Sequence, residues 1–316
     1  MEVTLKIKRK DPVQGQREQS YSVDIGNGQT VLDAMLKVRE EQDDSLGFRA
    51  GCGRGFCGDC AYRVNGTGDL ACMIPAEKAA KDGEIRLEPV RHIGVVKDLV
   101  YDMDSFLFDK VKVVKPWIVN RTGDQNKERL IEPQVVEDLQ TVMSCVMCGL
   151  CDEGCTVIAV DETFLGPAAL TKAYRTVVDP RNEASTEHLK QIEKPGGVWD
   201  CTHCFEANGH CPKRDINPTY RIFAIRDMLI KQGISHKPAH RYHESFTSSV
   251  KHSGWVDEAR LAIEAIGLFN VVGLLKLLPT AIRAMRRGKA PVPYLHKKRP
   301  GAANIRRIIE RAERKN

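Results

Sequence analysis

The stretch AGCGRGFCGDC, residues 50–60, spaces three cysteines as C-x4-C-x2-C, and Cys72 follows after eleven more residues. That opening is the spacing of plant-type [2Fe–2S] sites. Its glycines have a physical task. A loop wrapped around sulfide aims backbone N–H groups inward and takes positive φ, which glycine does at low cost. Cys52, Cys57, Cys60 and Cys72 are therefore read as the ligands of a [2Fe–2S] cluster. The same stretch holds a formal G-x-G-x-x-G at Gly53, Gly55 and Gly58, but a cysteine interrupts it and no βαβ pattern surrounds it, so a dinucleotide site is rejected. Zinc motifs favour pairs of C-x2-C instead.

What flanks the loop sets the fold. Val3, Leu5 and Ile7 alternate with polar residues, and Tyr21, Val23 and Ile25 repeat the alternation after a polar turn, which reads as two strands. GQTVLDAMLKVREEQ reads as a helix with Thr30 as N-cap and Val31, Met35 and Val38 on one face. After the loop, AYRVNGTGDLACM reads as a hairpin turning at Asn65-Gly66, and GEIRLEPV as one more strand. Two strands, a helix and a hairpin around a Gly/Cys loop fit a β-grasp domain over residues 1–104. From about Val100 onward the pattern turns helical, after a linker placed near Arg91 to Lys115. The expected class is α+β, with an α-helical cysteine-bearing domain over 105–240 and a helical basic extension over 241–316.

With 316 residues the chain has room for about two domains with cores of their own. Its 11 cysteines are an odd number, which argues against a closed set of disulfides. MEVTLKIKRK has no apolar h-region, and the most apolar stretch, from Ala265, carries Asn270, Lys276 and Pro279 and makes a poor membrane span. A reducing cytoplasm is the expected setting, where clustered cysteines read as metal ligands. From Lys276 to Asn316 there are thirteen Lys and Arg against two Glu, a +11 tail; since the whole chain carries +6, the remainder carries −5. Such a tail suits an anionic surface or a solvated end.

Two further cysteine groups lie in the helical half. CVMCGLCDEGC presents Cys145, Cys148, Cys151 and Cys155 as C-x2-C-x2-C-x3-C, the bacterial ferredoxin run. CTHCFEANGHCP repeats it with Cys201, Cys204, Cys211 and Pro212, but Ala207 stands at the third position. In two-cluster ferredoxins the fourth cysteine of a run ligates the other cluster. Cys145, Cys148 and Cys151 then take Cys211 as fourth ligand of a [4Fe–4S] cluster, and Cys155, Cys201 and Cys204 are left to hold a [3Fe–4S] cluster. A second [4Fe–4S] cluster with a substitute ligand stays open, since His203, Glu206 and His210 lie nearby in sequence.

At this point the chain resembles the iron–sulfur subunits of succinate dehydrogenase and fumarate reductase, over about residues 1–230. The resemblance runs through QTVLDAMLKVREEQDDSLGFRAGCGRGFCGDCAYRVNGTGDLAC, VVKDLVYDM (Val95–Met103), KPW (Lys115–Trp117), FLGPAAL (Phe164–Leu170) and CPKRDINP (Cys211–Pro218). It implies a β-grasp domain joined to an α-helical ferredoxin domain. Electrons would pass from FAD on a flavoprotein subunit through [2Fe–2S], [4Fe–4S] and [3Fe–4S] to quinone, within the tricarboxylic acid cycle. Three positions depart from the family. The gap falls at Ala207 instead of at the second cysteine position, Cys155 is followed by TVIAV instead of proline and an aromatic-rich stretch, and Thr202 stands where a histidine is common.

The C-terminal GLLKLLPTAIRAMRRGKAPVPYLHKK resembles the tails of heterodisulfide reductase C-type subunits and of succinate dehydrogenases without ordinary anchors, which work with CCG-domain partners. Leu274, Leu277, Leu278 and Ile282 would line one helix face, with Lys276, Arg283, Arg286 and Arg287 around it, for docking on a partner or on anionic lipid. The other reading is an ordinary core helix. The expected protein is an electron-transfer subunit with no catalytic residue of its own, partnered by a flavoprotein and by a CCG-domain or membrane-anchor subunit. It would be cytoplasmic, and membrane-associated through the complex. The rivals are a subunit of a heterodisulfide- or thiol-dependent reductase, and an iron–sulfur protein that binds nucleic acid. No nucleic acid is expected, because Tyr294 alone is interleaved with the tail's charges.

Overall fold

The computed structural model describes residues 1–11, 15–92, 94–121, 128–234, 238–267, 269–289 and 298–314. They form two compact units, Met1–Met228 and Leu229–Asn316. Tyr294 and the stretch 290–297 of the tail lie outside the described residues.

The first unit opens with β1 (Glu2–Asp11) and β2 (Gly15–Asp24), antiparallel with Val3 opposite Val23 and Leu5 opposite Tyr21. Val3, Leu5, Ile7, Tyr21 and Val23 are all buried, the two-residue alternation of a sheet with one face on a core. α1 (Val31–Glu41) begins at Thr30, whose hydroxyl accepts the Asp33 N–H while the Asp33 carboxylate accepts the Thr30 N–H. Such a reciprocal cap stabilises a helix start by about 1 kcal/mol. Val31, Leu32, Ala34, Met35 and Val38 are its buried residues. β3 (Ala61–Val64) and β4 (Thr67–Leu70) turn through Asn65 and Gly66, whose φ values of 51° and 84° are those a two-residue hairpin turn demands. After α2 (Ala76–Ala79), β5 (Glu84–Glu88) runs parallel to β1 and antiparallel to β3, completing a sheet of order β2-β1-β5-β3-β4.

The stretch expected to be a linker, Arg91 to Lys115, is instead ordered into short elements. β6 (Val95–Lys97) and β7 (Val100–Tyr101) form a hairpin, and a π-helical turn at Asp104–Phe108 leads into α3 (Asp109–Val113). The cause is long-range. Asp98 in the hairpin turn is fully buried and receives Arg9 through Nε and Nη2, both at 3.0 Å, plus the N–H groups of Lys10 and Gly47. Arg9 also donates to Tyr21 at 2.7 Å and to Asp43. Burial works against charge on Arg9, yet Asp98 and Tyr21 hold its guanidinium above its ordinary pKa.

The remainder of the unit is helical: α4 (Pro133–Met143), α5 (Leu150–Glu153), α6 (Gly166–Val178), α7 (Ser185–Ile192), α8 (Glu206–His210) and α9 (Pro218–Lys231). The α+β class read from the sequence is the class observed. The second unit contains α10 (Pro238–Ser253), α11 (Glu258–Ile266), α12 (Val271–Arg286) and α13 (Ala302–Glu313). Among the described residues no helix is long and apolar enough to cross a membrane.

Candidate metal centres

All eleven cysteines are free thiols, and they gather in three places. In the loop between α1 and β3, Cys52 Sγ accepts N–H groups from Arg54 at 3.3 Å, Phe56 at 3.2 Å and Cys57 at 3.3 Å. Cys57 Sγ accepts the Cys52 N–H at 3.3 Å, and Cys72 Sγ accepts the Gly55 N–H at 3.2 Å. These donors lower the Cys52 thiol to about 6. Burial raises Cys60 to about 12, with the neighbouring Cys72 sulfur adding to the rise. Gly53, Gly55 and Gly58 take φ of +65°, +69° and +80°, the conformation that turns successive amides toward one point. Four thiols with N–H groups already aimed at sulfur fit a thiolate-held cluster, whose potential such donors tune.

The second group surrounds a small cavity. Cys145, Cys148 and Cys151 line it together with Cys211, Ala168, Thr171 and Ile216. Burial raises Cys148 to about 12 and Cys151 well above its ordinary value, and each is raised further by Cys145 and Cys211. Cys155, on the turn after α5, does not line this cavity. It lies near Cys201, and Cys201 near Cys204, while the Thr156 hydroxyl stands 3.7 Å from Cys204 Sγ. Among the described residues no three His, Cys, Asp or Glu side chains are close enough to share one metal ion. Cys145, Cys148, Cys151 and Cys211 ring a space instead, as ligands of a cubane that each hold a different iron do.

The two runs share a backbone shape. Met147 and Gly149 flank Cys148 with φ of 57° and 75°, and His203 and Phe205 flank Cys204 with φ of 62° and 61°. Left-handed Met, His and Phe are uncommon, so the repetition marks one loop used twice. In each, a short helix follows at once, α5 capped by Gly149 and α8 by Phe205. Ala207 thus holds in α8 the place that Cys151 holds in α5. It is buried with Phe106, Leu107, Cys151 and Ala168. Of the nearby polar candidates, the His203 ring meets Phe223 edge-on at 4.6 Å, and His210 stands 3.4 Å from Glu153 and 3.7 Å from Glu206.

The sites abut. A Cβ added at Gly58 would stand 2.6 Å from the Val146 carbonyl and 3.1 Å from Cys148 Cβ, and Lys213, two residues after Cys211, lies 5.4 Å over the Phe56 ring. Cys60, Cys72, Cys148 and Leu150 belong to one continuous core. Cys151 and Cys155 bracket Asp152 and Glu153, both fully buried. Burial raises Asp152 to about 7 although it accepts the Ala168 N–H. Glu153 collects Arg91 at 2.7 Å and Arg63 at 3.4 Å.

Arg226 of α9 is buried and donates to the carbonyls of Val198 at 2.7 Å and Cys201 at 2.8 Å, with Trp199 5.1 Å beneath it. Burial lowers its guanidinium to about 10. None of Arg226, Asp152 and Glu153 was singled out from sequence. Adjacency to a cysteine is the only local signal two of them carry, and Arg226 carries none.

A sheet domain with one four-cysteine loop, packed on a helical region with two more cysteine groups, defines an iron–sulfur electron carrier. A family model described as a 2Fe-2S iron-sulfur cluster binding domain matches residues 4–108. The succinate dehydrogenase iron-sulfur subunit of Paracoccus denitrificans is 35% identical over 228 residues, 71% of this chain and 86% of that protein. In fold, the chain is similar to one from the Mycobacterium smegmatis Sdh1 complex in the apo form, with a TM-score of 0.67 at 23% identity over 74% of this chain and 98% of that one. The chain belongs to the succinate dehydrogenase iron–sulfur subunit family. It is the electron-transfer subunit of an oxidoreductase of the succinate dehydrogenase/fumarate reductase type, and it carries iron–sulfur clusters that include a [2Fe–2S] centre.

Proposed function

We propose that the chain is a three-cluster conductor between a FAD-containing flavoprotein subunit and an acceptor at the membrane. Cys52, Cys57, Cys60 and Cys72 hold the [2Fe–2S] cluster. Cys145, Cys148, Cys151 and Cys211 hold a [4Fe–4S] cluster, and Cys155, Cys201 and Cys204 hold a [3Fe–4S] cluster. The observation that carries this reading is the single cavity lined by Cys145, Cys148, Cys151 and the distant Cys211, with Cys155 outside it. Bound clusters supply one-electron carriers of graded potential. The chain's own residues do the rest: the loop amides hold Cys52 and Cys72, Gly58 admits the first loop against Cys148, and Arg226 fixes the carbonyl of Cys201. Ala207 offers no ligand atom at the third position of the run, which favours the three-iron form.

Family membership supports a flavoprotein and a membrane-anchor partner, and the resemblance of the C-terminal tail adds a CCG-domain subunit as the other candidate. A flavoprotein subunit would deliver electrons at the first site, and a membrane-anchor or CCG-domain subunit would take them beyond the third. The basic C-terminal unit would give peripheral membrane contact, so the complex would sit on the cytoplasmic side. Purification from the native source should bring the chain down with a FAD-containing subunit, and succinate should then reduce its clusters. Isolation with a thiol- or disulfide-reducing partner and no response to succinate would favour the heterodisulfide-type rival.

A further inference from the structure

We propose that α12 lies along the surface of an anionic lipid bilayer and inserts one row of side chains, Val271, Leu275, Leu278, Ile282 and Met285. This deepens the membrane contact proposed above and rests on it only for the presence of a nearby bilayer. The five residues are spaced by four, three, four and three, which places them on one stripe of the helix. They are 64%, 61%, 52%, 38% and 57% exposed, and α12 buries no residue. Leu274 and Leu277, assigned to the outward face from sequence, are half-buried, so the free row lies one step around the helix from the expected face. Phe269, just before the helix, is 98% exposed.

Charge selects the occupant. From Ala265 to Ile309, forty-five residues contain no Asp or Glu, while Lys276, Arg283, Arg286, Arg287 and Lys289 fall within or just after the helix. An apolar stripe with purely basic surroundings complements anionic headgroups over acyl chains. A transmembrane course is ruled out by length: α12 has 16 residues with Pro279 inside, against the ~20 that a span requires.

Flotation of the full chain in its purified complex, with vesicles of phosphatidylcholine alone or mixed with phosphatidylglycerol, tests this. Binding to the anionic vesicles only, weakened by salt because exposed charges are screened, is the expected result. Leu275→Asp with Leu278→Asp should weaken that binding by at least ~10-fold. Replacing Arg283, Arg286 and Arg287 together by Gln should erase the preference for anionic lipid while leaving the apolar row intact. Iron content and reduction by succinate should stay unchanged in both variants, which separates this inference from the electron-transfer reading. Equal binding to both vesicle types, no binding, or variants that shed a protein subunit while still floating with anionic vesicles would each overturn it.

Discussion

Cys211→Ser is expected to strip about four irons from each chain and leave the [3Fe–4S] centre in place. Sequence proximity points the other way, since Cys211 follows Cys201 and Cys204 in one motif. Geometry favours the proposed partition: Cys211 lines the cavity of Cys145, Cys148 and Cys151 and raises the thiols of Cys148 and Cys151. Serine keeps the size and loses the soft thiolate, so the remaining three thiols would hold a cubane poorly or not at all. Electron throughput from succinate to the terminal acceptor should fall to background, because the proposed order puts the lost site between the other two. Iron analysis and EPR of the oxidised protein read the result. Loss of the [3Fe–4S] signal with the four-iron centre intact would reverse the partition.

Asp98→Ala should cost about 3 kcal/mol of stability, because the buried Arg9 guanidinium loses one of its two carboxylates and the N–H groups of Lys10 and Gly47 lose their acceptor. The Arg9 and Asp98 side chains are 3% and 0% exposed and meet at 3.0 Å. In a unit of this size that loss lowers Tm by roughly 10 °C, measurable by calorimetry of the loaded protein. Arg9→Met with Asp98→Leu should recover only part of it, since the N–H groups of Lys10 and Gly47 still lack their acceptor and Asp43 loses its guanidinium. The pair also ties stability to pH through Asp43. Burial pushes the Asp43 carboxyl up, but hydrogen bonds from Ser45, Tyr21 and Arg9 hold it well below the ordinary carboxylate range. A depressed carboxylate stabilises the fold above its unfolded pKa, and the contribution disappears as pH falls toward the folded value. Asp43→Asn should therefore flatten the acid limb of the stability curve.

The elements legible in the sequence are those with local causes. Alternating Val3, Leu5 and Ile7 mark a strand, Thr30 with Asp33 marks a helix start, and Asn65-Gly66 supplies the two positive φ values of a tight turn. The cysteine spacings are legible for the same reason, because the first three cysteines of each run sit on one loop. The hairpin Val95–Tyr101 was not, since its strands are three and two residues long and its anchor is Arg9, 89 residues from Asp98. The same applies to Arg226, which reaches Cys201 across 25 residues. Glu153 reads locally as a spacer between Cys151 and Cys155. Only the fold brings Arg63, Arg91 and His210 to it. On α12, Leu278 and Ile282 of the expected face are exposed while Leu274 and Leu277 are half-buried, because apolar periodicity identifies a stripe but not which edge of it the chain itself covers.

The division of the irons among the three cysteine groups is directly measurable. Mössbauer spectra of ⁵⁷Fe-enriched protein, purified anaerobically with its partner subunits, should resolve three components in a ratio of roughly 2:4:3, with the three-iron component magnetic in the oxidised state. A ratio of roughly 2:4:4 in undamaged protein would show that the site of Cys155, Cys201 and Cys204 recruits a fourth ligand despite Ala207, and would contradict the partition proposed for this chain.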